Sequence, residues 1–181
     1  MTSVLSINNW IVFQQRTNGS VTFQRNWNEY KLGFGNWAGE YWMGLENIYQ
    51  VTTSGEWRLR LELQNGTSGL WSDREYDTFS IDSEYNGYAL RVSMTGFGTD
   101  VDVLNIAGPN CHNGMKFSAS DRDNDRYSGN CAVTHRSGFW FNECFAINLN
   151  GVYSDSFRYV QSNDVPPTQL LAARMMMKRS N

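Results

Sequence analysis

Several features are scarce in this 181-residue chain, and each scarcity excludes something. Only 3 prolines accompany 16 glycines, which argues against a disordered or low-complexity segment. No apolar run approaches the length of a membrane span. The opening "MTSVLSINNWIVF" has neither a basic leader nor a long apolar stretch, so it makes a poor secretory signal. No cluster of Lys or Arg offsets the net charge of -3, which argues against nucleic acid as a partner. There are only 2 histidines, and neither G-x-S-x-G, H-E-x-x-H nor a phosphate-cradling glycine loop occurs, so no enzyme is expected. The 3 cysteines are an odd number, consistent with one pair and one leftover in an oxidising compartment.

Aromatic residues are abundant: 7 Trp, 9 Tyr and 10 Phe. At this length one domain with a full core is expected. "WIVFQQRTNGSVTF" (10–23) reads as a hairpin turning at Asn18-Gly19. "NWNEYKLGFG" (26–35) reads as a short helix ended by Gly33 and Gly35, and residues 45–52 as a second one. "EWRLRLEL" (56–63) alternates, with Trp57, Leu59, Leu61 and Leu63 on one face of a half-buried strand. "LWSDREYDTFSI" and "YALRVSM" add two strands, with a turn at Asn86-Gly87. Beyond about residue 96 regular alternation ceases. "TQLLAARMMMKRS" (168–180) is apolar again, and its periodicity fits a strand or a helix. The sequons at Asn18 and Asn65 would accept glycans in a secreted protein; their first role is expected to be tight turns.

Within the irregular segment, "DRDNDRYSGNC" (121–131) places three carboxylates in five residues. A hard cation would offset their repulsion, and calcium takes carboxylate and carbonyl oxygens readily. An EF-hand is excluded: its sixth and twelfth positions would be Arg126 and Ala132, not Gly and Glu. A solvated acidic turn capped by Asp and Asn accounts for the same residues equally well.

Longer stretches carry a resemblance. "GSVTFQRNWNEYKLGFGNWAGEYWMGLENI", "HNGMKFSASDRDNDRYSGNCA" and "GFWFNECFAINLNGVY" closely resemble the fibrinogen C-terminal domain, shared by fibrinogen chains, ficolins, tachylectins, angiopoietins and tenascins. The resemblance implies an α+β fold: a central twisted antiparallel sheet with short helices and a loop-rich calcium-binding C-terminal subdomain. It implies one domain over 1–181, with the sheet over about 1–105, the loop-rich recognition part over about 106–160 and a closing strand over about 161–181. It also implies calcium on the side chains of Asp123 and Asp125 and the carbonyls of Tyr127 and Gly129, with Asp121 nearby but not a ligand. Cys131 and Cys144 would form a disulfide after a cis Glu143–Cys144 peptide. His135, Phe141, Cys144 and Phe145 would line a small cleft, with the Cys144 amide as donor. The partners so implied are glycans or acetylated ligands, as for ficolins, or a receptor or matrix protein, as for angiopoietins and tenascins. The setting would be extracellular, and the full-length protein an oligomer.

Three departures bear on this. The chain begins where the family's central subdomain begins, without the N-terminal subdomain and its cysteine pair. Phe145 stands where many family pockets carry a histidine. The segment "SDSFRYVQSNDVPPTQ" (154–169) is shorter than the Trp-rich loop of acetyl-binding relatives. The acetyl pocket is therefore expected to carry over less well than the fold. Among the other residues, Trp140 is expected in the core and His112 in a buried turn, while Cys111 is either a buried thiol or a link to another chain.

Overall fold

The computed structural model describes residues 5–153, 155–159 and 167–180. In chain order the elements are β1 (Ser6–Ile7), β2 (Trp10–Arg16), α1 (Trp27–Leu32), β3 (Phe34–Gly35), β4 (Tyr41–Trp42) and α2 (Leu45–Thr52). There follow β5 (Trp57–Asn65), β6 (Trp71–Tyr76), β7 (Phe79–Ile81), β8 (Leu90–Val92) and β9 (Gly96–Gly98). The last are α3 (Cys131–Thr134), β10 (Ile147–Asn148), β11 (Arg158–Tyr159) and β12 (Thr168–Arg179). The main sheet runs β3-β4-β2-β12-β5-β6-β9, with β1 on β2 and the β10–β11 pair joined to the start of β12. Every pairing in it is antiparallel. β7 and β8 form a separate antiparallel pair.

The alternation of residues 57–63 holds: Leu59, Leu61 and Leu63 are buried and oppose Met177, Met175 and Ala173 of β12. The ambiguity of "TQLLAARMMMKR" also resolves. It is a strand covered on both faces, since Met175 and Met177 belong to the main core while Met176 joins Val12 and Tyr41 in a second cluster. Burial on both faces erases the period-two signature. Each buried side chain of this size contributes roughly 1.5–3 kcal/mol.

The hairpin expected at Asn18-Gly19 does not form. A two-residue turn occurs earlier, at Asn8-Asn9, where both residues have positive φ (50° and 66°) and join β1 to β2. Residues 17–21 instead wrap the buried carboxylate of Glu40, which accepts from the N–H groups of Thr17, Asn18, Gly19 and Val21 at 2.8–3.0 Å. Those donors are then not free for a strand ladder. The second sequon does serve a turn: Asn65 Oδ1 accepts from Thr67 and Ser68 N–H between β5 and β6.

α1 forms where expected because its first turn is capped reciprocally. Asn26 Oδ1 accepts from Glu29 N–H and the Glu29 carboxylate from Asn26 N–H. Trp27 and Tyr30 face the core. Gly33 ends the helix with φ 94°, and a Cβ there would sit 2.6 Å from Met43 O, so the crossing with the chain before α2 requires glycine.

Candidate functional site

Between β9 and β10 the chain has few ladder bonds, and side chains hold it. Asp121 Oδ1 accepts from Trp27 N–H at 2.7 Å, so the first carboxylate of the cluster anchors the start of α1 and does not turn toward its neighbours. The Arg122 guanidinium lies 4.0 Å over the Trp27 ring. Asn124 is fixed by its N–H to Ser118 Oγ and its Nδ2 to Phe117 O.

Asp123 and Asp125 then organise the loop. Asp123 Oδ1 accepts from Asp125 N–H at 3.2 Å; Asp125 accepts from Tyr127 N–H at 3.0 Å and from Cys131 N–H at 2.9 Å. The last bond ties the loop to α3, which Asn130 caps through Val133 N–H. Burial, with the Asp123 charge added, raises the Asp125 pKa above the ordinary carboxylate value despite the two N–H donors. Among the described residues neither aspartate has an ion-pair partner, and the carbonyls of Tyr127 and Gly129 accept no hydrogen bond. Beside them Asn142 Oδ1 is buried without a partner, while the Asn142 carbonyl accepts from Arg126 N–H. Two unneutralised carboxylates and two unused carbonyls are a donor set that fits calcium. No group of three or more His, Cys, Asp or Glu is arranged for a metal among the described residues, so carbonyls would be needed.

Cys131 and Cys144 are bonded, and the Glu143–Cys144 peptide is cis. Cys111 is a half-buried free thiol. Of the four residues expected to line a cleft, His135, Phe141 and Phe145 pack together. Phe141 is 0% and Phe145 8% exposed; the His135 ring meets Phe145 edge-on at 4.8 Å, and Phe141 lies 6.1 Å from Phe145. Both phenyl rings are buried, and of these four residues only His135 and Cys144 reach the surface in part. Burial lowers the His135 pKa, and the Arg158 charge adds to this. Residue 154 and residues 160–166 of the shortened segment lie outside the described residues.

His112 acts more directly than the sequence suggests. Its Nδ1–H donates to Trp140 O at 2.8 Å, and its Nε2 accepts from the N–H groups of Ala146 (3.1 Å) and Ile147 (3.2 Å). The neutral ring thus holds the chain just beyond Cys144. Its partners lie 28 to 35 positions away, so no local pattern could reveal the role. Trp140, Phe139 and Phe141 are core residues.

A sheet globe with a side-chain-held loop region at one end defines a class of domain. Residues 4–179 match the family described as fibrinogen beta and gamma chains, C-terminal globular domain, and the chain belongs to that family. Human tenascin-R is 40% identical over 147 residues, 81% of this chain but 10% of tenascin-R. The fibrinogen-like globe domain of human ANGPTL6 superposes with a TM-score of 0.84 at 37% identity, covering 95% of this chain and 78% of that one. The lamprey fibrin D-dimer, complexed with the peptide Gly-His-Arg-Pro-amide, gives a TM-score of 0.83 at 29% identity over 97% of this chain and 63% of that one. The expected α+β fibrinogen-like fold is thereby established.

Proposed function

We propose that the chain is an extracellular recognition module, stabilised by calcium, that binds a protein or peptide partner through its loop-rich end. The observation that carries this is the packing of Phe141 and Phe145 against His135. Buried rings at that place favour a protein surface over a pocket for a small acetyl group. The peptide ligand of the lamprey neighbour supports the same reading. An extracellular setting is supported by the Cys131–Cys144 disulfide, since such bonds persist in oxidising compartments. Asp123, Asp125 and the carbonyls of Tyr127 and Gly129 would hold calcium, whose contribution is to fix the loop and not to touch the partner. The reading assigns no catalytic step.

The test is retention on an N-acetylglucosamine matrix and, separately, on immobilised extracellular-matrix proteins, each in calcium and then in EDTA. Protein retention released by EDTA, without sugar retention, is the expected result. Calcium-dependent sugar retention alone would instead establish the second reading: a lectin-like module for acetylated glycans.

A further inference from the structure

Two sequons, Asn18-Gly19-Ser20 and Asn65-Gly66-Thr67, lie outside the loop-rich segment and share one geometry. A sequon needs an asparagine amide nitrogen and a hydroxyl two residues on. The fold tolerates a glycan only where that nitrogen faces water, because the sugar is bulky and polar. Each carboxamide oxygen turns back on its own loop. Asn18 Oδ1 accepts from Ser20 N–H at 3.0 Å, and Asn65 Oδ1 from Thr67 and Ser68 N–H at 2.8 and 2.9 Å. The nitrogen is then the free end of the side chain, and neither Nδ2 makes a hydrogen bond among the described residues. Asn18 is exposed. Asn65 is half-buried, but its Nδ2 is not among the buried atoms that lack a partner, so it reaches water. Ser20 and Thr67 are exposed too.

The surroundings of Asn65 add a second observation. Three exposed apolar side chains flank its turn. Leu70, 72% exposed, accepts through its carbonyl from Asn65 N–H at 2.9 Å. Trp71, 45% exposed, comes next and opposes Gln64. Leu171, 41% exposed, follows Leu170, which opposes Asn65. The Arg174 guanidinium lies 5.0 Å from the Trp71 ring and so shields part of it, but not the two leucines. Exposed apolar clusters on a soluble domain mark a surface that something covers. Here a glycan acceptor stands in the middle of the cluster. Residues 65–67 are also synthesised well before residues 168–171, so the acceptor is open while the chain is being made.

We propose that Asn18 and Asn65 carry N-linked glycans in the secreted chain, and that the glycan at Asn65 covers Leu70, Trp71 and Leu171. The proposal rests on the extracellular reading above, because the donor is an oligosaccharide carried on a lipid pyrophosphate in the secretory compartment. In the transfer Nδ2 attacks the anomeric carbon of that sugar. A carbon–nitrogen bond forms, and the bond from the same carbon to the pyrophosphate oxygen breaks. The lipid pyrophosphate leaves with the electron pair, and Nδ2 gives up one of its two protons. Nothing is oxidised or reduced.

The test expresses the chain behind an added leader in animal cells. Secreted and cell-retained protein are both treated with peptide-N-glycosidase in heavy-oxygen water, and their peptides are read by mass spectrometry. Conversion of Asn18 and Asn65 to heavy-labelled aspartate is expected; an unconverted position overturns that site. Thr67→Ala keeps the backbone N–H that Asn65 Oδ1 uses. It should remove the glycan at Asn65 and raise the binding of a dye for apolar surface, and parent protein deglycosylated after folding should match it. Ser20→Ala should remove the glycan at Asn18 and leave dye binding at the parent level. Unchanged dye binding in Thr67→Ala, a rise that the deglycosylated parent does not share, or an equal rise in Ser20→Ala would overturn the covering role. Retention on matrix proteins without either conversion sinks the glycan sites alone. Both conversions in protein that no matrix protein retains sink the recognition reading and leave the sites standing.

Discussion

Trp27 and Asp121, 94 positions apart, are joined by a 2.7 Å hydrogen bond from the Trp27 backbone to the Asp121 carboxylate. The bond gives a donor at the start of α1 a partner from the acidic loop. It also separates the first aspartate of the cluster from the other two.

Asp121→Ala should therefore behave as the loss of a cap, lowering stability by about 1 kcal/mol. Urea denaturation measures this. Any stabilisation by calcium should survive the change, and its disappearance would mean that Asp121 belongs to the metal site after all.

Asp123→Asn should have the complementary effect. Asp123 is exposed and accepts only from the Asp125 N–H among the described residues, so its removal costs the metal-free fold little. Calcium at a hundred times its dissociation constant should stabilise the native chain by about 2.7 kcal/mol. Thermal melts of the two proteins with calcium and with EDTA should show that increment in the native chain and not in the variant.

His112 makes stability depend on pH. Burial lowers its pKa to about 4, from an ordinary value of 6.5. Between these values the unfolded chain binds the extra proton, so this contribution is complete above pH 6.5 and declines as pH falls toward 4. The shift corresponds to roughly 3 kcal/mol. Denaturation midpoints of the native chain should fall more steeply over this window than those of His112→Gln. Parallel slopes would show that the ring is not the group responsible.

The Cys131–Cys144 bond closes a loop of sequence separation 13. A loop of that length should contribute about 3 kcal/mol through the unfolded chain. The double variant Cys131→Ser, Cys144→Ser should lose that amount in equilibrium unfolding, and its loop amides should exchange hydrogen faster than those of β5.

What could be read in the sequence followed local physics. The alternation of Leu59, Leu61 and Leu63 and the short helix ended by Gly33 depend on neighbours a few residues away. The failed hairpin at Asn18-Gly19 did not: its amides turn to Glu40, 19 to 23 positions along. The site behaves in the same way. The spacing of Asp123 and Asp125 pointed to the loop, and the family resemblance to the disulfide. Whether Phe141 and Phe145 line a space or fill it depends on ring packing, which residue types alone do not fix.

β12 is the last strand described in the chain, yet it lies between β2 and β5 at the middle of the sheet. During synthesis the first strands must leave the ribosome without their neighbour, and β2 and β5 present open edges until residues 168–179 emerge. The sheet cannot assemble progressively from one end; it closes late, around its final strand. A chain stopped before Thr168 would expose those edges together, as ready templates for association with other unfinished chains.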